Sequence, residues 1–529
     1  MTIKEIFKKE DQKFESYLKK YKKITKVAEF LNEKYALKLD HKDVDKLRKR
    51  LSRFYNKQGL TENITKLEDT LEFKKASKRK LRKSKYHIIG WQQNETPVNK
   101  DVWKKILMYR EYLGAELSII LGRYKNPTSI FSDRTREVWD EITLGYRTAN
   151  THDIHKYLTI LGGVKISPTA KFPLSSVQDF AHGKSIIVGH PKMHLKAEPV
   201  LNGYPKKVLL TTGAITEPNY TDSGAGAKSK VVHKFGFTIV EIKNNKVFFI
   251  RQVEMENNGN FTDLCHRVTD EGVSVIEKAE ALICGDTHYG VLDPKIDKAN
   301  DKICNFFNVD SLVLHDLPDG ESCNNHKIKS PIKKFQRLMN DEHLIEKELK
   351  GTADFLETKL KWNPVVVQAN HNSRFDRVLN NDWRDDIHNS VYYMKYTQLA
   401  LEGKLDKGVL AYYLKERFGE KVKCLDFKDS FMLGKYETSQ HGDFGSNGSR
   451  GTPRGFRNLG IPIILAHTHV PYRADDCFYV GTNTHLLLDY NDKGASSWMQ
   501  CSILIGNNNI AQHIIFVDGE YTTFAPLVS

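Results

Sequence analysis

Five short stretches of the sequence carry side chains that hold divalent cations well. They are "GDTH" with Asp286 and His288, "HDLPDG" with Asp316 and Asp319, "ANHN" with Asn370 and His371, "SQHGDFG" with His441, and "LAHTHV" with His467 and His469. Carboxylate and amide oxygens mixed with imidazole nitrogens suit Mn2+, Fe or Zn2+. The set contains no thiolate, which leans away from a structural zinc site. Taken singly each stretch is weak, since a lone loop histidine or asparagine more often satisfies a turn.

What gives the stretches weight is what precedes them. Short apolar runs, Ala281–Cys284, Leu312–Leu314, Val365–Val367 and Ile463–Leu465, stand before the first, second, third and last. Runs of this length between turn residues predict buried strands. The ligating groups then fall in loops just past the carboxyl ends of those strands, where α/β sheets gather ligands. His441 sits in a glycine-flanked loop between the third and the last.

In this order, Asp-x-His, Asp-x-x-Asp, Asn-His, His and His-x-His, the motifs resemble the calcineurin-like metallophosphoesterase superfamily over about residues 275–529. The resemblance implies an α/β catalytic domain of four layers, two β-sheets packed together and flanked by helices. It implies two divalent ions, with Mn2+ preferred and Fe, Zn2+ or Mg2+ as alternatives. Asp286, His288, Asp316 and His469 would hold the first, and Asp316 would bridge to a second completed by Asn370, His441 and His467. His371 matches the catalytic histidine. The pattern departs from the superfamily at Ala369, at Asn372 where an acid usually orients the histidine, at His315 and at Ala466. Asp376 is the nearest acid that could replace the missing one.

The chain has 529 residues, too many for one ordinary core, so several domains are expected. No apolar run is long enough to cross a membrane, and the start, "MTIKEIFKKEDQKF", lacks a signal-peptide centre. Seven cysteines without a Cys-x-x-Cys pair fit reduced thiols. Together these predict a cytoplasmic protein.

The net charge is +15, and residues 1–90 hold 27 Lys and Arg against 13 Asp and Glu, while the remainder holds 54 against 53. A polyanion-binding arm on a neutral body is the natural reading. The alternative is a lysine-rich solvated surface. Apolar spacing predicts helices over residues 1–73. The later one carries Lys46, Arg48, Lys49, Arg50 and Arg53, as in a helix-turn-helix, although an oligomerisation or docking bundle would show the same stripes. Residues 74–85 read as a basic linker, 86–180 as a helical accessory region, 181–270 as a β-rich accessory region and 383–420 as a helical insert. That insert is placed to shape a substrate groove or an oligomer contact. The glycine-rich 221–230 reads as a hairpin tip.

A superfamily of this kind splits several phosphoester classes, and the basic arm selects among them. A metal-dependent DNase, similar to the double-strand-break repair nucleases of the superfamily, is the expected activity, with DNA as partner. The whole layout also resembles the pre-early DNA-transfer proteins of tailed siphophages, which implies host-DNA degradation in the host cytoplasm. Arg374, Arg450, Arg454 and Arg457 are candidates to grip substrate phosphates. Two alternatives remain: a phosphatase or cyclic-nucleotide phosphodiesterase whose arm makes a homo-oligomer, and a non-enzymatic DNA-binding regulator on a phosphoesterase scaffold.

Overall fold

The computed structural model describes residues 78–123, 138–324, 330–488 and 491–522, with isolated positions among the first 77 residues. The chain divides into two units, residues 1–79 with 136–138, and residues 80–135 with 139–529. In the first unit Phe14, Val27, Leu31 and Leu51, apolar positions of the expected helices, are buried. The helix-turn-helix reading and its Lys46, Arg48, Lys49, Arg50 and Arg53 lie outside the described residues.

The second unit is mixed α/β. A six-stranded sheet runs in the order Lys423–Cys424, Pro364–Val366, Ser311–Leu314, Ala279–Ile283, Cys501–Gly506, Ala511–Ile515. Its first four strands are parallel and the last two close it as an antiparallel hairpin. Parallel neighbours need long crossovers, and helices supply them. Pro294–Phe307, Ile345–Glu357 and Gly408–Phe418 carry Ile303, Leu349 and Leu414 onto one face of the sheet, against Leu312, Val366 and Leu504.

The other face packs on a ten-stranded sheet. Ala281, Ile283, Val313 and Val365 meet Ile464, Phe478 and Val480 there. Both faces of the parallel strands are therefore apolar, which is why each reads as an unbroken hydrophobic run rather than an alternation. The carboxyl ends of Ala279–Ile283, Ser311–Leu314, Pro364–Val366 and Ile463–Leu465 lead into the loops that hold the ligand residues.

Three expectations need correction. Residues 86–180 are not mainly helical: Lys100–Leu113 is the α-helix among the described residues there, and it links the parallel strands Tyr86–Gln92 and Glu116–Leu121. Gly114, with φ 60°, ends that helix in a left-handed cap and turns the following apolar run into a strand. Nor do 86–180 and 181–270 separate from the C-terminal half. Strands from His152 to Thr211 complete the ten-stranded sheet, joined where His194–Glu198 pairs antiparallel with Tyr472–Ala474. The first strands belong to a five-stranded sheet that packs Ile89, Trp91 and Val240 on Ile187 and Leu210 of the large one. The glycine-rich 221–230 is no hairpin tip: Gly224–Val231 is helical, because the Ser223 hydroxyl accepts from the Gly226 amide and caps it.

Candidate metal centre

Two of the ligand loops are tied to each other through the backbone. The amides of Thr287, His288 and Tyr289 donate to the carbonyls of His315, Asp316 and Leu317 at 3.0, 2.7 and 2.8 Å. That ladder sets His288 beside Asp316. Gly285, just before Asp286, lies against Thr482, where a Cβ would come within 2.7 Å of the main chain. His288, Asp316, His467 and His469 have φ of 43°, 41°, 72° and 57°. Left-handed backbone is uncommon outside glycine, costs energy, and clusters at functional sites.

Each carboxylate is held by one oxygen and presents the other. The His467 amide donates to Asp286 Oδ1 at 3.2 Å, and the His371 amide donates to Asp316 Oδ1 at 3.1 Å. The free oxygens point at imidazoles. Asp286 Oδ2 is 3.0 Å from His469 Nε2, while Asp316 Oδ2 is 3.1 Å from His441 Nε2 and 3.7 Å from His288 Nε2. Asn370 Oδ1 lies 3.0 Å from His441 Nε2 and 3.1 Å from His467 Nδ1. All seven expected ligands, Asp286, His288, Asp316, Asn370, His441, His467 and His469, therefore converge. Six of them form two sets, Asp286–His288–His469 and Asp316–His441–His467, with Asn370 joined to the second, and a third set, His288–Asp319–His371, adjoins the first. Asp316 Oδ2 faces nitrogens of the first and the second, as a bridging carboxylate would.

The residues fit divalent ions on their own chemistry. His288 Nε2 and His469 Nε2 face each other at 3.1 Å. His288 Nδ1 is engaged by the Asp319 carboxylate at 3.2 Å, so the His288 proton belongs on Nδ1 and its Nε2 presents a lone pair. His469 Nδ1 is buried without a hydrogen-bond partner. Burial would raise the Asp286 carboxyl, yet His469 and His441 hold it well below the usual range. Asp316 is likewise held far down, by His441 and His371 against its burial. His441 shows the reciprocal effect: burial alone would lower it, but Asp316 and Asp286 push it up to about 9. The cluster calls for positive charge, and a cation supplies it without protonating a ligand.

His371 stands beside His288 of the first set. Its Nδ1 lies 2.5 Å from the Asp319 carbonyl, its ring packs edge-on to His288, and its Nε2 is 3.1 Å from Arg374 Nη2. Burial pushes it down to about 3, so the ring is neutral. Asp376 does not replace the missing acid. Its carboxylate accepts from the Val409 amide at 2.9 Å and caps the helix Gly408–Phe418. Asn372 is buried and donates to the Val367 carbonyl. The group that orients His371 is a main-chain oxygen of Asp319, which no residue-type pattern announces.

Asp319 is the residue that motif reading undervalued. Its carboxylate holds His288, and its carbonyl also accepts from Arg374 Nη1 at 2.7 Å. Gly320, with φ 67°, lets the Arg374 side chain lie across this loop, where a Cβ would sit 2.8 Å from Arg374 Cδ. Trp498, outside every motif, packs its ring 4.0 Å from that of His469. Among the candidate phosphate-gripping arginines, Arg374 is at the centre. Arg457 is not free to grip substrate, because its guanidinium is committed to Asp475 at 2.5 and 3.1 Å. Arg450 and Arg454 are exposed, and nothing in the structure ties either to the ligands.

The chain is 26% identical over 468 residues to Protein A1 of Escherichia phage T5, a match covering 83% of each chain. No family model matches the sequence. No solved structure matches it. Among the described residues, no helix is long and apolar enough to cross a membrane.

Proposed function

We propose that this chain is a divalent-metal-dependent nuclease that hydrolyses DNA phosphodiester bonds, acting for a phage on host DNA. The observation that carries the phosphoesterase part is the convergence of two ligand sets on Asp316 Oδ2, from five loops far apart in sequence. The chemistry a bound ion pair supplies is polarisation of a phosphoryl oxygen and activation of water near neutral pH. The oxygen- and imidazole-rich donor set suits Mn2+. Arg374 places a permanent positive charge against neutral His371, where a phosphoryl oxygen beside Asn370 would need it.

The DNA part rests on charge. The excess of 14 cations in residues 1–90 would release counterions on contact with a polyanion, which a small-nucleotide enzyme does not need. The likeness to a phage protein fits that use. One observation favours the phosphatase reading. A groove of about 510 Å3 opens beside Asp319 and is lined by Glu321, Asp341, Glu348 and Asp354 against Lys347 and Lys350. Both lysines are paired with acids of the groove, so a long nucleic-acid backbone would meet repeated repulsion along this flank, whereas a small ester could reach the ligands without lying in it.

The experiment offers the full chain plasmid, linear duplex and single-stranded DNA with Mn2+, Mg2+ or EDTA, beside aryl phosphate mono- and diesters. Manganese-dependent DNA cleavage abolished by Asp316→Ala is the expected result. Turnover of the monoester alone would establish the phosphatase instead, and salt-sensitive DNA binding without turnover a regulator. Deleting residues 1–77 weakens DNA cleavage and spares the small diester; equal losses on both would remove the role given to the arm.

A further inference from the structure

The helix Ser390–Leu401 is built the wrong way round for a helix that ends at solvent. Its buried face is tyrosine, with Tyr392, Tyr393 and Tyr396 packed into the core and the Tyr392 hydroxyl donating to the Phe375 carbonyl. Its exposed face is aliphatic: Val391, Met394 and Leu401 are 72, 63 and 85% exposed. With Gln398 these residues step 3, 4 and 3 along the helix. Ile387 extends the stripe one turn back, into the 3-10 segment Trp383–Asn389. That is the spacing of a coiled-coil seam, with a single polar residue in it.

A second stripe lies on a neighbouring element. The helix Pro331–Met339 exposes Ile332, Phe335 and Met339, again on one face. It is fastened to the 3-10 segment Trp383–Asn389 by Lys334, whose ammonium donates to the Asp385 carbonyl. Two exposed apolar stripes on neighbouring elements are uncommon on a protein that works alone. Seven side chains of these sizes, exposed to these degrees, present roughly 900 Å2, close to the ~800 Å2 per partner of a standard interface.

We propose that this face docks a second copy of this chain, with the two Ser390–Leu401 helices packed antiparallel about a two-fold axis near Gln398. A seam spaced at 3.5 residues is completed by another helix of the same kind, and a two-fold axis lets one patch serve both partners. The flanking charges agree. Lys395 and Glu402 border the stripe on the same side, so an antiparallel pair brings Lys395 of one copy to Glu402 of the other. Their present partners, Glu346 at 3.4 Å and Lys404 at 2.8 Å, are half-exposed surface pairs that give way at little cost.

The test is sedimentation equilibrium of the full chain across a concentration series. A rise from 60.8 kDa to twice that mass is expected. Met394→Glu with Leu401→Glu should raise the dissociation constant ~100-fold or more, with far-UV circular dichroism unchanged because both side chains face solvent. Gln398→Cys adds an independent readout. A short bifunctional maleimide should join two such chains but not two wild-type chains, whose cysteines among the described residues are buried or half-buried. A monomer at every concentration would overturn the proposal. So would a dimer indifferent to the double substitution, or a Gln398→Cys thiol kept unreactive in a monomer by the chain's own N-terminal residues.

Discussion

Replacing Asp319 by alanine removes the carboxylate that holds His288, and it should cripple metal binding. The Asp319 carboxylate accepts the Nδ1 proton of His288 at 3.2 Å, and both side chains are buried. That bond fixes which nitrogen of His288 offers its lone pair. Hydrogen bonds to a charged group are worth ~1.5–3 kcal/mol, and a buried donor left unpaired costs a similar amount. Loss of such an outer partner typically lowers metal affinity ~10–100-fold, and that range is expected here. Asp319→Asn keeps an acceptor without the charge and should fall between wild type and alanine. The assay is Mn2+ titration by calorimetry, paired with DNA cleavage against Mn2+ concentration. The carbonyl that holds His371 is main chain and survives both substitutions. The cleavage defect should therefore vanish at saturating Mn2+, leaving kcat within a few-fold of wild type. Wild-type Mn2+ affinity in Asp319→Ala, or a kcat loss that excess metal fails to restore, would refute the reasoning.

Three further outcomes follow from the same geometry. Arg374→Lys loses the fork that spans His371 Nε2 and the Asp319 carbonyl, so kcat should fall ~10–100-fold with Mn2+ affinity unchanged in calorimetry. Asp376→Ala removes a helix cap rather than an orienting acid, so thermal unfolding should shift by the equivalent of ~1 kcal/mol while kcat stays at the wild-type value. The metal-free protein should lose stability as pH rises from the unfolded histidine value of ~6.5 through about 9. The reason is that His441 has a raised folded value, so its stabilisation is full below the unfolded one and lost above the folded one. Metal binding works the other way, because it competes with that proton. The increase in melting temperature on adding Mn2+, read by scanning calorimetry, should therefore grow across that interval.

Six of the seven ligand residues were legible because they follow apolar strands buried on both faces, whereas His441 was marked only by its glycine-flanked loop. Val365–Val367 and Ile463–Leu465 could hardly be read otherwise, and the structure places strands at Pro364–Val366 and Ile463–Leu465. Glu116–Leu121 was hidden for the opposite reason. It follows Lys100–Leu113 with only "GA" between, and the apolar spacing runs on as though the helix continued. The stop is a left-handed glycine, whose conformation the sequence does not display. The reach of the large sheet back to His152 was equally hidden, since Tyr472–Ala474 pairs with His194–Glu198 across a long sequence separation. At the centre, Asp319 was visible as the second acid of its motif, but its role depends on a backbone carbonyl and a loop path. Asp376 was the wrong substitute because nearness in sequence is not nearness in space: the short helix Arg374–Arg377 aims it at the N-terminus of another helix instead.

The most direct test of the two-ion centre is electron paramagnetic resonance during Mn2+ titration of the metal-free chain. Two ions bridged by Asp316 would be within ~4 Å of each other and magnetically coupled. The expected result is a coupled multiline spectrum that saturates at two equivalents and is lost in Asp316→Ala. An uncoupled six-line spectrum, saturation at one equivalent, or a coupled signal that survives Asp316→Ala would contradict it.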